Sequence, residues 1–100
     1  MKALNESSKI LVLNCGSSSL KYEVFRMPQR ESLGRGTVER IGEATSFLAQ
    51  SSPKGTLRVE EPMVDHAAAM ARVVKALVDE KSGIISAVGE IDAIGHRVVH

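Results

Sequence analysis

The sequence predicts an α/β domain, and three stretches support this prediction. The apolar run at residues 10–13 is typical of a buried strand, and residues 20–24 alternate apolar and charged side chains as a half-buried strand does. Residues 67–77 place apolar side chains at three- and four-residue steps, which is the period of an amphipathic helix. The β-branched run at residues 91–100 is typical of another buried strand. Strands before and after one helix indicate a sheet on which that helix packs.

Turn-forming residues divide the chain into its predicted elements. Pro28 marks a turn because proline fixes φ and lacks a backbone donor, and residues 51–55 suit a hairpin connector. Asp65 is the predicted helix cap and Gly83 the predicted helix stop, while residues 84–88 fit either a short helical turn or a linker. In chain order, the predicted elements are strands at residues 10–13, 20–24 and 33–41, a hairpin of residues 46–50 and 56–60, the helix, and a final strand at residues 91–100.

The predicted final strand reaches the last residue with no cap, turn or polar tail after it. Three strands, a hairpin, a helix and a strand make an α/β arrangement that is incomplete at its C-terminal end. We therefore expect the chain to be the front section of a longer protein.

Composition argues against several classes of function. The 100 residues are 43% hydrophobic and carry a net charge of +1, with acidic and basic residues interspersed. Without a basic stripe, neither nucleic-acid binding nor adsorption to a membrane surface is expected. Residues 1–8 lack the apolar core of a signal peptide, and no run approaches the length of a membrane span. The single cysteine, Cys15, cannot form an internal disulfide, so we expect a reducing, cytoplasmic location.

The turn between the first two predicted strands carries the chemistry of a phosphate site. It contains a glycine and three consecutive serines, with Asn14 at its entrance and Lys21 just beyond it. Backbone N–H groups and hydroxyls at a turn suit phosphate oxygens, and Lys21 adds a cation there. Asn14 is a polar residue at the end of a predicted buried strand, so it needs a partner or a ligand. The alternative is a serine-rich hairpin turn that binds nothing.

Arg97 interrupts the apolar final strand, and two explanations remain open. Its side chain either reaches out of the sheet to a structural salt bridge or extends into a cleft. A cleft arginine between valines would suit a small anion with a short apolar tail, because its fork binds a carboxylate or phosphate bidentately.

Other catalytic patterns are weaker or absent. Neither of the two common glycine-rich phosphate motifs occurs, and there is no serine-hydrolase elbow despite the three serines. His66, His96 and His100 do not have the spacing of a zinc site, and Cys15 does not complete one. Cys15 paired with one of these histidines as a nucleophile stays an alternative to a small buried thiol.

Several segments together closely resemble the acetate kinase (acetokinase) family. They are the stretches at residues 14–22 (NCGSSSLKY), 38–42 (VERIG), 65–66 (DH) and 91–100 (IDAIGHRVVH), in the order in which the family has them. The resemblance covers nearly the whole chain. It implies a ribonuclease H-like (actin-like ATPase) fold, of which residues 1–100 would be the first part of the N-terminal domain. The rest of that domain and the second domain would lie outside this chain.

The resemblance also implies roles for six residues. Asn14 resembles the family's magnesium-associated asparagine, and Ser17, Ser19 and Lys21 resemble its phosphate-side residues. Arg97 resembles the arginine that holds acetate and the transferring phosphoryl group. Val99 resembles a residue of the pocket for the methyl group of acetate.

As a function, the resemblance implies reversible phosphoryl transfer from ATP to acetate, with Mg²⁺, by a cytoplasmic homodimer. The family's remaining active-site residues would follow residue 100, so the segment alone is expected to be inactive. Two alternatives stay open: a propionate or butyrate kinase of the same fold, and an inactive half-domain that acts as a binding module.

Overall fold

A computed structural model describes residues 8–98 and shows six strands and one α-helix in the described part of the chain. The elements are β1 (Lys9–Cys15), β2 (Leu20–Arg26), β3 (Glu31–Glu39), β4 (Phe47–Ser52), β5 (Gly55–Glu60), α1 (His66–Leu77), a short 3₁₀ helix (Val88–Glu90) and β6 (Ile91–Val98). This order agrees with the order predicted from the sequence. The ambiguous stretch before the final strand is a linker followed by the 3₁₀ turn.

The strands form one sheet in the order β5-β4-β3-β2-β1-β6. Strands β1 to β5 pair as successive antiparallel neighbours, because short turns connect each to the next. The predicted connector at residues 51–55 is confirmed, since Ser52 pairs with Gly55 across a two-residue loop. Strand β6 returns after the helix and pairs with β1 in parallel. Strand β1 therefore pairs both with β2, which follows it in the sequence, and with β6, which is far from it in the sequence.

Helix α1 covers one face of the sheet, as its apolar period predicted. The Asp65 carboxylate accepts a hydrogen bond from the Ala68 N–H at 2.8 Å, which confirms the predicted N-cap. The buried side chains of the helix, Ala69, Val73, Ala76 and Leu77, pack against apolar side chains of β1 to β4. Apolar burial on this face is the main stabilising contribution to the fold.

The predicted helix stop at Gly83 is wrong. Helix α1 ends at Leu77, and the C-cap is Val78, whose N–H donates to the Ala76 carbonyl. The Asp79 carboxylate then accepts hydrogen bonds from the N–H groups of Lys81 and Ser82, at 3.1 and 2.9 Å. Such local side-chain bonds to the backbone compete with further helical turns, so the chain turns before it reaches Gly83.

Within this 100-residue segment, the expectation that residues 91–100 form a buried strand is also wrong for the residues whose burial is described. Side chains of β6 alternate between half-buried and exposed, and Ile94 keeps 55% of its surface exposed. Strand β6 lies at the end of the strand order, whereas α1 packs over the middle of the sheet. A β-branched run reports strand propensity but does not distinguish a central strand from an edge strand.

The third strand is offset from its prediction by two residues and runs from Glu31 to Glu39. It ends before Ile41 because Arg40 adopts a positive φ of 57°, which turns the chain out of the sheet. The Ile41 side chain is nonetheless part of the core.

One row of residues across the sheet faces the helix and contains a buried polar network. This helix-face row consists of Leu13, Tyr22, Gly36, Gln50 and Leu57. The Tyr22 hydroxyl donates to Gln50 Oε1 at 2.7 Å, and Gln50 Nε2 donates to the carbonyls of Ala76 and Ser82 at 2.7 and 3.0 Å. Tyr22 and Gln50 are each only 2% exposed, so these bonds replace the water that the groups lose on folding.

Candidate functional site

The turn between β1 and β2 is a tight loop of four residues, 16–19, closed by the Cys15–Leu20 pair. The Gly16 N–H donates to the Ser19 carbonyl at 2.9 Å. A Cβ atom at position 16 would lie 2.7 Å from Ser19 Oγ, closer than side-chain carbons approach. An alanine at position 16 would therefore force the Ser19 hydroxyl to rotate away from its present position.

Three carbonyl oxygens of this turn are held by donors from elsewhere in the chain. His66 Nε2 lies 2.8 Å from the Gly16 oxygen and 3.3 Å from the Ser19 oxygen. The Ile41 N–H donates to the Ser18 oxygen at 2.9 Å. Helix α1 and the segment after β3 thus hold the turn through its acceptors.

The donors of the turn are, by contrast, available. Within residues 8–98, the backbone N–H groups and hydroxyls of Ser17, Ser18 and Ser19 donate no hydrogen bond to protein acceptors. Ser17 and Ser18 are exposed and Ser19 is half-buried. A turn that has three of its carbonyls held, and whose serine N–H groups and hydroxyls have no protein acceptor among the described residues, is suited to bind an anion.

A second row across the sheet begins beside this turn and faces away from the helix. This open-face row consists of Asn14, Lys21, Thr37, Ala49 and Arg58, with the backbone of Arg97 in register beside Asn14. Side chains directly opposite each other on paired strands share a face, so Asn14 and Lys21 are neighbours. The sheet register thus brings together positions from the two ends of the described chain.

Polar groups in the open-face row differ in whether they have partners. Thr37 Oγ1 donates to Glu39, and Arg58 Nε donates to Glu60 while its guanidinium lies 4.1 Å from the centre of the Phe47 ring. The side chains of Asn14 and Lys21 make no hydrogen bond or ion pair with the described residues. The unpartnered groups of the row are therefore the two nearest the serine turn.

A groove of about 530 Å³ runs along this face from Asn14 and Lys21 towards Arg58. Lys21, Arg35 and Arg58 line the groove together with the carboxylate of Glu23; because Arg58 is paired with Glu60, the excess of positive charge comes from Lys21 and Arg35. The excess of positive charge is consistent with an anionic ligand at this face.

Four of the six predicted site residues lie together at this end of the sheet: Asn14, Ser17, Ser19 and Lys21. Arg97 has its backbone beside Asn14. Val99 lies outside the described residues. The nucleophile alternative for Cys15 gains no support from His66, because its Nε2 atom is bonded to two carbonyl oxygens of the turn.

Sequence reasoning missed one residue of this site, His66. It lies 50 positions from Gly16 in the chain, and its contact with the turn is made in the folded structure alone. The only local signal was its place directly after the helix cap.

Within residues 8–98, no group of three or more His, Cys, Asp or Glu side chains is arranged to hold a metal ion. No helix there is long and apolar enough to cross a membrane.

Comparison with known proteins identifies the family. The model of the Acetokinase family matches residues 9–100. Acetate kinases of Clostridium botulinum (strain Hall) and Clostridium beijerinckii are each 54% identical to this chain, over 92 and 93 residues. These matches cover 92% of the chain but 23% of each relative, so the chain spans about a quarter of the length of these relatives.

Solved structures agree with the sequence comparison. Porphyromonas gingivalis acetate kinase superposes with a TM-score of 0.86 at 46% identity, covering 93% of this chain and 24% of that one. A propionate kinase from Francisella tularensis superposes with a TM-score of 0.78 at 30% identity, covering 93% and 23%. The likeness to both kinases confirms the predicted ribonuclease H-like (actin-like ATPase) fold. Sequence and structure agree on one assignment: the chain belongs to the acetokinase family.

Proposed function

We propose that the protein to which these residues belong transfers the γ-phosphoryl group of ATP reversibly to acetate, giving acetyl phosphate and ADP. One observation carries the proposal beyond family membership. The sheet register aligns the backbone of Arg97 with Asn14 and Lys21, directly beside the open donors of the serine turn. The residue that the family resemblance assigns to acetate and the lysine that it assigns to phosphate thus have their backbones on either side of Asn14 in the sheet.

The phosphate side of the proposed site consists of Ser17, Ser19 and Lys21. The open N–H groups and hydroxyls of the turn would donate to phosphate oxygens of the nucleotide. Lys21 is exposed and has no ion-pair partner among the described residues, so its ammonium group is available to a phosphate.

The acetate side of the proposed site consists of Arg97 and Val99. The Arg97 guanidinium would bind the acetate carboxylate bidentately and then stabilise charge on the equatorial oxygens of the transferring group. Val99, outside the described residues, would contact the methyl group of acetate and limit the length of the acid. Both roles come from the family resemblance.

The reaction itself balances without a covalent protein intermediate. A carboxylate oxygen of acetate attacks the γ-phosphorus, and the bond between that phosphorus and the β–γ bridging oxygen breaks with its electron pair going to ADP. Such a transfer depends mainly on alignment of the reactants and on charge neutralisation.

Magnesium fits the site only in part. Asn14 offers one amide oxygen, half-buried and unpartnered among the described residues, and Mg²⁺ accepts oxygen ligands. No cluster of carboxylates accompanies it within residues 8–98, so nucleotide phosphates and water would supply most of the ligands. Bound Mg²⁺ would supply neutralisation of phosphate charge, and Asn14 would orient the ion or one of its waters.

We further propose that residues 1–100 are the first part of an N-terminal actin-like ATPase domain in a cytoplasmic homodimer. On this proposal the segment holds one wall of the active site. The purified 100 residues should then form no acetyl phosphate from ATP and acetate. Measurable ATP-dependent acetyl phosphate formation by the segment would contradict this.

A substrate series with the full-length protein tests the proposed function. The rate of ADP formation is measured with acetate, propionate and butyrate, each with ATP and Mg²⁺. The proposal expects the highest kcat/KM for acetate. A higher value for propionate would instead favour the activity named for the Francisella structure, which also matches this fold. ATP binding without turnover on any acid would favour a binding module.

A further inference from the structure

His66 has no part in the function proposed so far, yet it contacts the turn directly. It is the first residue of α1 and is half-buried. Its Nε2 atom lies 2.8 Å from the Gly16 oxygen and 3.3 Å from the Ser19 oxygen. These are the first and last residues of the four-residue loop between β1 and β2, so one ring nitrogen bridges both ends of the loop.

The chemistry of the two partners fixes the direction of these bonds. A carbonyl oxygen only accepts hydrogen bonds, so Nε2 carries a hydrogen and donates to both. The ring therefore has Nε2–H whether or not Nδ1 is protonated. No other polar contact of the His66 ring occurs within the described residues, so all of its polar contacts there are with the turn.

The ring is held in place by the helix that carries it. Asp65 caps the helix immediately before His66, and Ala69, one turn later, is fully buried against the sheet. This anchoring sets the position of the imidazole relative to β1 and β2. The position of the helix therefore fixes where His66 Nε2 lies relative to the loop.

The effect on the loop is to occupy its acceptors and leave its donors available. With the Gly16 and Ser19 oxygens held by His66 and the Ser18 oxygen by Ile41, the N–H groups of Ser17, Ser18 and Ser19 have no protein acceptor in residues 8–98. We propose that His66 is a positioning residue that holds the serine turn in its phosphate-binding shape through a two-acceptor hydrogen bond from Nε2. This inference rests on the proposed function, since the phosphates are those of its nucleotide.

The test compares two substitutions at position 66 in the full-length protein. His66→Phe keeps an aromatic ring but removes the donor, whereas His66→Gln keeps an N–H donor. Val64→Thr is the matched control, because Val64 lies two residues earlier and is 76% exposed. KM for ATP, KM for acetate and kcat are measured for each, together with the thermal unfolding midpoint and the ATP dissociation constant by calorimetry.

His66→Phe is expected to raise KM for ATP and the ATP dissociation constant about tenfold, because a small displacement of a binding group is costly. KM for acetate should stay within about twofold, since that substrate is assigned to Arg97. His66→Gln should recover most of the ATP affinity, and Val64→Thr should match the unchanged protein. A merely structural His66 would lower the unfolding midpoint without separating the two KM values.

The inference is overturned if His66→Phe leaves ATP affinity unchanged, if His66→Gln is as impaired as His66→Phe, or if both KM values rise together. Failure of the proposed function looks different. An unchanged protein that binds ATP but phosphorylates no acid refutes the kinase proposal, while the calorimetric comparison of the variants still decides the role of His66. An unchanged protein that binds no ATP refutes both.

Discussion

The helix-face row and the open-face row lie one residue apart on each of the first five strands, yet they have opposite properties. In the helix-face row, Tyr22 and Gln50 are buried and fully bonded to each other and to the backbone beside them. In the open-face row, Asn14 and Lys21 have no partner among the described residues. Because side chains alternate between the faces of a strand, the residues that stabilise the core and those proposed to bind the ligand are adjacent in the chain. Substitutions in the two rows should therefore separate the two properties.

The largest effect is expected for Arg97→Ala, beside the open-face row. Loss of the guanidinium should lower kcat for acetate phosphorylation by about 10²–10³, as for other positioned charge-stabilising donors. Turnover is measured as acetyl phosphate formed from ATP and acetate by the full-length protein.

Arg97→Lys is the matched control, since it retains the charge but not the bidentate fork. Its kcat should lie between the kcat of the Arg97→Ala variant and that of the unchanged protein. An Arg97→Ala protein with undiminished turnover would remove Arg97 from the proposed mechanism.

Gly36→Ala in the helix-face row should act on stability alone. A Cβ atom at position 36 would lie 2.3 Å from the Cζ and hydroxyl oxygen of Tyr22, so the ring must move. Overpacking of this kind should lower the free energy of unfolding by about 1–3 kcal/mol. Urea denaturation measures this free energy of unfolding. Turnover per folded molecule should not change.

Gly89→Ala provides the control for added bulk, because nothing lies within 4 Å of a Cβ there. Its free energy of unfolding should stay within about 0.5 kcal/mol of the original. Equal effects of the two substitutions would contradict the packing argument.

Tyr22→Phe should cost about 1 kcal/mol of stability at neutral pH, because Gln50 Oε1 loses its donor. The pH dependence sharpens the test. Burial raises the pKa of Tyr22 well above its ordinary 10.0, opposed in part by the charge of Arg72. The unfolded chain therefore releases the phenol proton at lower pH than the folded one, and stability is lost as pH rises past 10.0.

The Phe variant lacks this alkaline loss, so the difference in unfolding free energy between the two proteins should shrink as pH rises above 10.0. Denaturation curves on both sides of that pH measure it. A difference that stays constant would show that Tyr22 is not protected by burial.

The smallest effect is expected for Lys21→Ala in the open-face row. KM for ATP should rise about fivefold, since an exposed charge pair contributes up to about 1 kcal/mol. Lys54→Ala, at an exposed lysine of the β4–β5 turn outside the lining of the groove, is the control and should leave KM for ATP unchanged. Equal increases in the two variants would indicate a diffuse effect of charge.

Local signals in the sequence were sufficient for the element order. Alternation at residues 20–24, the helical period at residues 67–77 and the Asp65 cap each act within a few residues, so they can be recognised without the fold. The helix end was missed because Asp79 forms its turn through side-chain bonds that the Gly83 signal does not reveal. The exposure of β6 in this segment was missed because position within a sheet is a tertiary property.

The site was predictable only where its residues are adjacent in the chain. Asn14, the serines and Lys21 form one hairpin, so their proximity follows from the turn. The alignment of Arg97 with Asn14 depends on a parallel pairing between the two ends of the described chain, and the His66 contact depends on where α1 packs. Neither contact has a local signal. The place of Arg97 in an apolar strand left a salt bridge and a cleft role open, and the family resemblance favoured the cleft role.

The parallel pairing of β1 with β6 also bears on the order in which the molecule assembles. The β1–β2 hairpin closes over four residues, so it can form early, whereas β6 must return across nearly the full chain before it docks. Chain synthesis proceeds from the N-terminus, so a nascent protein would carry the serine loop well before residue 97 exists. On the proposed function, a growing polypeptide that has reached α1 but not β6 would already hold the serine turn through His66 while it could not yet align an acid for attack.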